Sequence, residues 1–289
     1  MRTTIRFAAA VCMAVGVLSG ISSSGANAAD FPAGSKMAEL AKLGKIKVGT
    51  QTQYPLIGMK TLSGYEGFDV EVAKLIAKKL GISESNIEFV PVTTPTREPF
   101  LQQNKVDMVI AAYTITPSRW KVIDFAGPYL PSPSGIMVQT GNPLKVKAFP
   151  DMEGKRLCAP SGSSQEAYLS KNFPKVRETA VLFDSSAKCA QAVINGQADA
   201  STTDIPILAA LAKQNDGKLE VIDFQYDLAT WGIGLPKTDD KSFCQWINKA
   251  LSESYSDGSW ADAYKKTIGT VVPGAVPAPP KSSNCSENG

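Results

Sequence analysis

The 289-residue sequence predicts an α/β fold divided into two lobes, and three observations carry that prediction. Short runs rich in branched apolar residues alternate with helical runs along most of the chain, the pattern of mainly parallel strands joined by helices. The alternation occurs twice on a similar plan. Between the two sets lies YLPSPSG, residues 129–135, whose prolines and serines fit a crossover from one lobe to the other.

In the first set, IKVGT (46–50), NIEFV (86–90) and DMVIA (107–111) read as strands. A helix is predicted over 69–80, with Val72, Ala73, Ile76, Ala77 and Leu80 on one face and Gly81 suited to its C-terminal stop. The second set comprises KRLCA (155–159), a helix from about Ser163, a helix over 185–195 stopped by Gly196, ADAST (198–202) and PILAALAK (206–213). The chain is expected to return to the first lobe near 227–231, where WGIGLP forms a strand and residues 241–269 supply two closing helices. Two crossings make a two-strand hinge. Residues 29–130 with 229–272 are therefore assigned to one lobe and 131–228 to the other. Residues 273–289, rich in Pro, Ser and Gly, are expected to form an extended tail.

Composition narrows the function. Residues 1–28 read as a secretory signal peptide: Arg2 and Arg6, an apolar stretch, then Ala26-Asn27-Ala28 as the cleavage site. The mature chain is expected to be soluble and periplasmic, because the apolar stretch is shorter than the roughly 18 residues of a membrane span. Val11 before Cys12 lacks the small residue that lipid attachment requires. Cleavage lowers Lys+Arg from 30 to 28 against 27 Asp+Glu, so the mature net charge is +1 and nothing points to nucleic acid. Histidine is absent, which removes the commonest general base and the commonest zinc ligand. Cys158, Cys189, Cys244 and Cys285 remain in an oxidising compartment, without the close spacing of a metal site. Three pairings are open in principle. The lobe division favours Cys158 with Cys189 and Cys244 with Cys285. No metal and no cofactor are expected.

The chemistry concentrates in AAYTITPSR, residues 111–119, which ends an apolar run and opens a helix where hydroxyls and one arginine converge. Thr116 suits an N-cap, Pro117 the first helical position, and Arg119 offers a planar two-pronged grip for a carboxylate. Together with GFDVEVAKLIAKKL, residues 67–80, this stretch resembles the family 3 extracellular solute-binding proteins, the polar amino-acid receptors of ABC importers. The resemblance runs from about Ile46 to about Gly269. It implies a periplasmic-binding-protein-like type II fold with a ligand cleft between the lobes, closing by hinge motion to present a free polar L-amino acid to permease subunits. A monomer is expected.

Residue by residue, the resemblance makes Arg119 the carboxylate clamp, assisted by Thr114 and the backbone of Ala112. Asp204 receives the ammonium, with Thr203 beside it. Ser163 and Ser164, in PSGSSQ (160–165), add donors to the carboxylate at a second helix start. Tyr54, in the loop after the first strand, and Phe68 are placed to cover the ligand's aliphatic part, and Gln51 stands where some relatives carry an acid. Arg97 matches the arginine of acidic-amino-acid receptors, which favours glutamate or aspartate over glutamine or asparagine. Plainer structural readings exist: helix caps for Thr116, Ser163 and Asp204, a surface ion pair for Arg119, a surface arginine at a helix start near Thr96 for Arg97, the core for Phe68. An exported prephenate or arogenate dehydratase is the enzymatic alternative, but the motifs contain no candidate pair of carboxylates. A sensory domain would need a membrane helix and a signalling module.

Overall fold

The computed structural model describes residues 30–272 and 274–286; the expected leader and its cleavage site lie outside them. In chain order the elements are α1 (Lys36–Leu43), β1 (Ile46–Thr50), β2 (Gln53–Tyr54), β3 (Gly58–Thr61), β4 (Gly64–Glu66), α2 (Phe68–Lys79), β5 (Ile87–Pro91), α3 (Arg97–Gln102), β6 (Met108–Val109), α4 (Pro117–Trp120), β7 (Asp124–Gln139), β8 (Leu157–Pro160), α5 (Ser164–Asn172), α6 (Pro174–Glu178), β9 (Val181–Phe183), α7 (Ser186–Ile194), β10 (Ala200–Asp204), α8 (Ile205–Gln214), β11 (Leu219–Leu235), α9 (Ser242–Ser256) and α10 (Ser259–Lys266).

One eight-stranded sheet in the order β5-β1-β6-β11-β7-β10-β8-β9 runs through both lobes. At one end β5, β1 and β6 are parallel, at the other β10, β8 and β9 are parallel. The antiparallel pair β7 and β11 joins them, paired from Leu219 opposite Gln139 to Leu235 opposite Asp124 with register shifts at Val221/Gln225, Tyr226/Leu228 and Trp231/Ile233. Each strand of this pair, 16 and 17 residues long, passes through both lobes, so the pair is the hinge. The crossover YLPSPSG is therefore part of a strand. Prolines are tolerated there because β10 pairs with β7 only from Ser134 to Met137, leaving Pro131 and Pro133 with a partner on one side alone.

The helices cover both faces with the predicted apolar stripes. Val72, Ala73, Ile76 and Ala77 of α2 are buried in a core with Ile247, Leu251 and Trp260 from the two closing helices. A smaller core around Tyr113, Trp120 and Phe125 fills the other face of the first lobe. The second lobe has its own core around Phe149, Leu157 and Leu169.

A small sheet, β2-β3-β4, intervenes between β1 and α2, in place of the loop expected after the first strand. It packs against Gly67, at φ 118°, where any Cβ would lie 2.5 Å from the Ile57 carbonyl carbon. Only glycine fits. The carbonyls of Leu56 and Ile57 then accept from Phe68 and Asp69 N at 2.9 Å each, capping α2 without a side chain. Both expected disulfides are present, Cys158–Cys189 and Cys244–Cys285. The second ties the tail to α9, and Ser283 N donates to the Gly127 carbonyl at 2.6 Å beside it. No helix among the described residues is long and apolar enough to cross a membrane.

Candidate functional site

The carboxyl ends of the parallel strands from both lobes meet at one seam, the usual place for a ligand in open α/β sheets. On the first-lobe wall, β6 spans only Met108–Val109 because the chain then leaves the ladder for a left-handed turn at Ala112, φ 47°. An alanine in that region costs about 1–3 kcal/mol and persists only where its surroundings enforce it. Here they do. Asp69 Oδ2 accepts from Ala112 N at 2.7 Å, while Arg97 Nη1 donates to the Ala111 and Ala112 carbonyls at 3.2 and 3.3 Å. Asp69 is fully buried and its other oxygen accepts from the Tyr129 hydroxyl at 2.7 Å. Burial raises its pKa to about 7 against the pull of these bonds and of Arg97.

Arg97 is 4 % exposed, with its guanidinium 4.3 Å from the centre of the Tyr113 ring. Its Nε donates to the Thr94 carbonyl at 3.2 Å. All these acceptors are neutral carbonyls. Arg119, 7 % exposed, lies 5.0 Å from the same ring. Its Nε meets Glu98 Oε1 at 2.9 Å, Nη1 donates to the Thr114 carbonyl at 2.6 Å, and Nη2 crosses the seam to the Gly162 carbonyl at 2.8 Å. Burial lowers the pKa of Arg119, with the neighbouring Arg97 charge acting in the same direction.

On the second-lobe wall Asp204 ends β10 and begins α8, yet its side chain caps nothing. Oδ1 instead accepts from Ser134 Oγ at 3.3 Å and Gln165 Nε2 at 3.1 Å, and Oδ2 accepts from Trp231 Nε1 at 3.1 Å. The carboxyl is 3 % exposed, and burial raises its pKa to about 7 despite three donors. Ser163 does cap α5, accepting from Glu166 N at 3.0 Å, whereas Ser164 reaches across to Thr114 Oγ1 at 3.4 Å. Further bonds close the seam: Ser186 N to the Tyr54 hydroxyl at 3.0 Å, and Thr94 N to the Asp184 carbonyl at 3.2 Å. Thr203 Oγ1 takes the Ser186 hydroxyl at 3.1 Å. About 20 Å³ remains between the walls, roughly the room one water needs.

Of the residues singled out from sequence, Tyr54, Arg97, Ala112, Thr114, Arg119, Ser163, Ser164, Thr203 and Asp204 line this one space. Phe68 does not. Its ring is fully buried against Tyr129, Trp260 and Tyr264, so stacking over a ligand is corrected to a core role. Gln51 is 2 % exposed and is also absent from the lining. Thr116 caps a helix of only four residues, accepting from Arg119 N at 3.3 Å, so its part is to orient the arginine. Sequence reasoning passes over Asp69, Glu98, Ser134, Gln165 and Trp231. Of these, Asp69 and Gln165 lie within the GFD and PSGSSQ motifs. A larger cavity of about 690 Å³ at the base of the first lobe has its buried carboxylate, Asp124, already paired with Lys241 at 2.7 Å. Among the described residues no group of three or more acidic or cysteine side chains is arranged to hold a metal.

The model of the bacterial extracellular solute-binding proteins, family 3, matches residues 46–270. The chain belongs to that family. It is 33% identical over 228 residues to the ABC transporter glutamine-binding protein GlnH of Bacillus subtilis, covering 78% of this chain and 81% of the relative. It is 29% identical over 279 residues to the glutamate-binding protein GluB of Corynebacterium efficiens, covering 93% and 92%. A crystal structure of the solute receptor for L-cysteine of Neisseria gonorrhoeae superimposes with a TM-score of 0.76 at 28% identity, covering 82% of this chain and 95% of that one. The two-lobed type II fold is thus that of the family 3 receptors, a binding class rather than a catalytic one.

Proposed function

We propose that this protein is a periplasmic receptor that binds a free polar L-amino acid between its lobes and delivers it to the permease subunits of an ABC importer, with glutamate or aspartate as the ligand. The observation that carries the reading is the charge pattern of the seam. Arg119 and Asp204 are both buried on opposite walls of one space, a cation for an α-carboxylate and an anion for an α-ammonium. Arg97 is a third charge lining that space, and its hydrogen bonds go only to neutral backbone carbonyls. A second ligand carboxylate supplies the missing anion. Because about 20 Å³ cannot hold an amino acid, the walls part for entry and close behind it.

In this reading the leader is removed after Ala28, residues 29–130 with 229–272 and residues 131–228 act as the two lobes, and the mature protein works as a monomer. The second reading is a glutamine or asparagine receptor, favoured by the 33% identity to a glutamine-binding relative. Relatives named for glutamine, glutamate and cysteine differ in ligand, so the side chain must be read from Arg97. Calorimetric titration with glutamate, aspartate, glutamine and asparagine tests this directly. The acids should bind more tightly, and Arg97→Gln should erode that preference more than it weakens binding in general. Tighter binding of glutamine by the natural protein, or an unchanged ratio in Arg97→Gln, removes the acidic assignment and leaves the amide.

A further inference from the structure

Every nitrogen of Arg119 is already engaged by the protein. Two acceptors are neutral carbonyls, but the third is the Glu98 carboxylate, at 2.9 Å from Nε. Glu98 follows Arg97 at the start of α3, so the two adjacent side chains diverge. Arg97 lines the narrow space between the walls, while Glu98 faces an open groove of about 370 Å³ that shares Arg119, Ser163 and Ser164 with that space and is also lined by Thr116, Ser118 and Glu166. Glu98 is 21 % exposed at its side chain and has room to move. It belongs to the same lobe as Arg119, so the pair does not depend on closure of the seam.

We infer that Glu98 is a built-in competitor for Arg119, a resident carboxylate that an incoming ligand carboxylate must displace or share, and that it thereby sets the receptor's affinity. The inference rests on the reading of Arg119 as the ligand's carboxylate clamp. A guanidinium facing two carboxylates is attracted by both, while the two anions repel each other, so whatever the ligand gains at Arg119 is reduced by the charge already there. The geometry supplies each element of this exchange: the ion pair, the Thr114 carbonyl of the same lobe and, in the closed seam, the Gly162 carbonyl to hold Arg119 when Glu98 leaves, and an open groove for the displaced side chain. Glu98 is a tuning residue and acts on the ligand only through Arg119.

The test is titration of the full-length mature protein with glutamate, aspartate, glutamine and asparagine, comparing the natural sequence with Glu98→Gln and Glu98→Asp in one buffer. Removing the competing charge should tighten binding of the preferred ligand about tenfold, the size of a partly solvated charge–charge contact. Glu98→Asp keeps the charge and should stay near the natural value. A gain in affinity is a result that a merely structural role cannot produce. Should Glu98→Gln fail to fold, Glu98→Ala is expected to show the same sign. Affinity unchanged or weakened in the neutral variant overturns the inference and makes Glu98 a brace that orients Arg119. If the natural protein binds none of the four amino acids, it is the receptor reading that fails, and the two failures are distinct.

Discussion

Replacing Asp204 with asparagine should move binding and stability in opposite directions. The substitution keeps the shape and removes the charge. Asparagine can accept from Trp231 Nε1 through its oxygen and donate to the Ser134 hydroxyl, which can turn to accept, while the Gln165 amide, whose Nε2 would otherwise face a donor, must turn over to present its oxygen. Ligand binding loses more, because an ammonium enclosed in the seam is left without its counter-ion. Breaking a buried pair in this way costs about 3–5 kcal/mol, a hundredfold or more in affinity. Stability follows from the raised pKa. A carboxyl that titrates near 3.8 when unfolded and at about 7 when folded contributes stability present in full below 3.8 and lost as pH rises through about 7. Asparagine does not titrate, so the ligand-free variant should gain on the natural protein by up to about 4 kcal/mol between pH 4 and pH 8. Paired thermal melts at pH 5 and pH 8, with calorimetric titration at pH 7.5, measure both effects. Undiminished affinity, or a variant that loses ground to the natural protein as pH rises, refutes the placement of Asp204 as a desolvated anion awaiting a cation.

Arg119→Ala should weaken binding at least a hundredfold by leaving the ligand carboxylate unpaired, read by the same titration. Asp69→Ala removes the acceptor that holds Ala112 N at 2.7 Å and the Tyr129 hydroxyl, and is expected to cost about 2–4 kcal/mol in urea unfolding while weakening binding through the displaced Ala112 turn. Gly67→Ala drives a Cβ into the Ile57 backbone and should prevent soluble expression or lower the melting temperature by many degrees. Replacing Cys158 and Cys189 together with serine opens a span of 31 residues and should cost about 3–4 kcal/mol, visible as a lower urea midpoint.

Much of the fold is legible in the sequence because its helices and buried parallel strands carry strong periodic signals. The helix over 185–195 and the strand at 198–202 appear within two residues of their expected bounds, as α7 and β10. The small sheet is not legible, since β2 has two residues and β4 three, too few for alternation to register. The hinge strands are half legible: WGIGLP reads as a strand alone, but β11 begins at Leu219 and only its pairing with β7 reveals the rest. In the site, motifs locate Arg119 and Asp204 without settling whether Asp204 caps a helix. That depends on Trp231, which is 27 positions away in sequence and 3.1 Å away in space. Arg97 as surface or interior is equally undecided by sequence, because its burial depends on the ring of Tyr113, supplied by a different segment.

The carboxyl-terminal tail has a consequence for how the chain comes apart. From residue 274 to 282 it makes no regular structure, yet beyond that Asn248 Nδ2 donates to the Ser283 carbonyl at 2.8 Å and Cys285 is bonded to Cys244. The stretch between α10 and Cys285 is thus part of a closed covalent ring with its weakest backbone on the outside. A protease that cuts there severs the peptide chain without releasing anything. The clipped protein should run as a single species on a gel until reductant is added, when a short peptide bearing Cys285 separates from the two lobes.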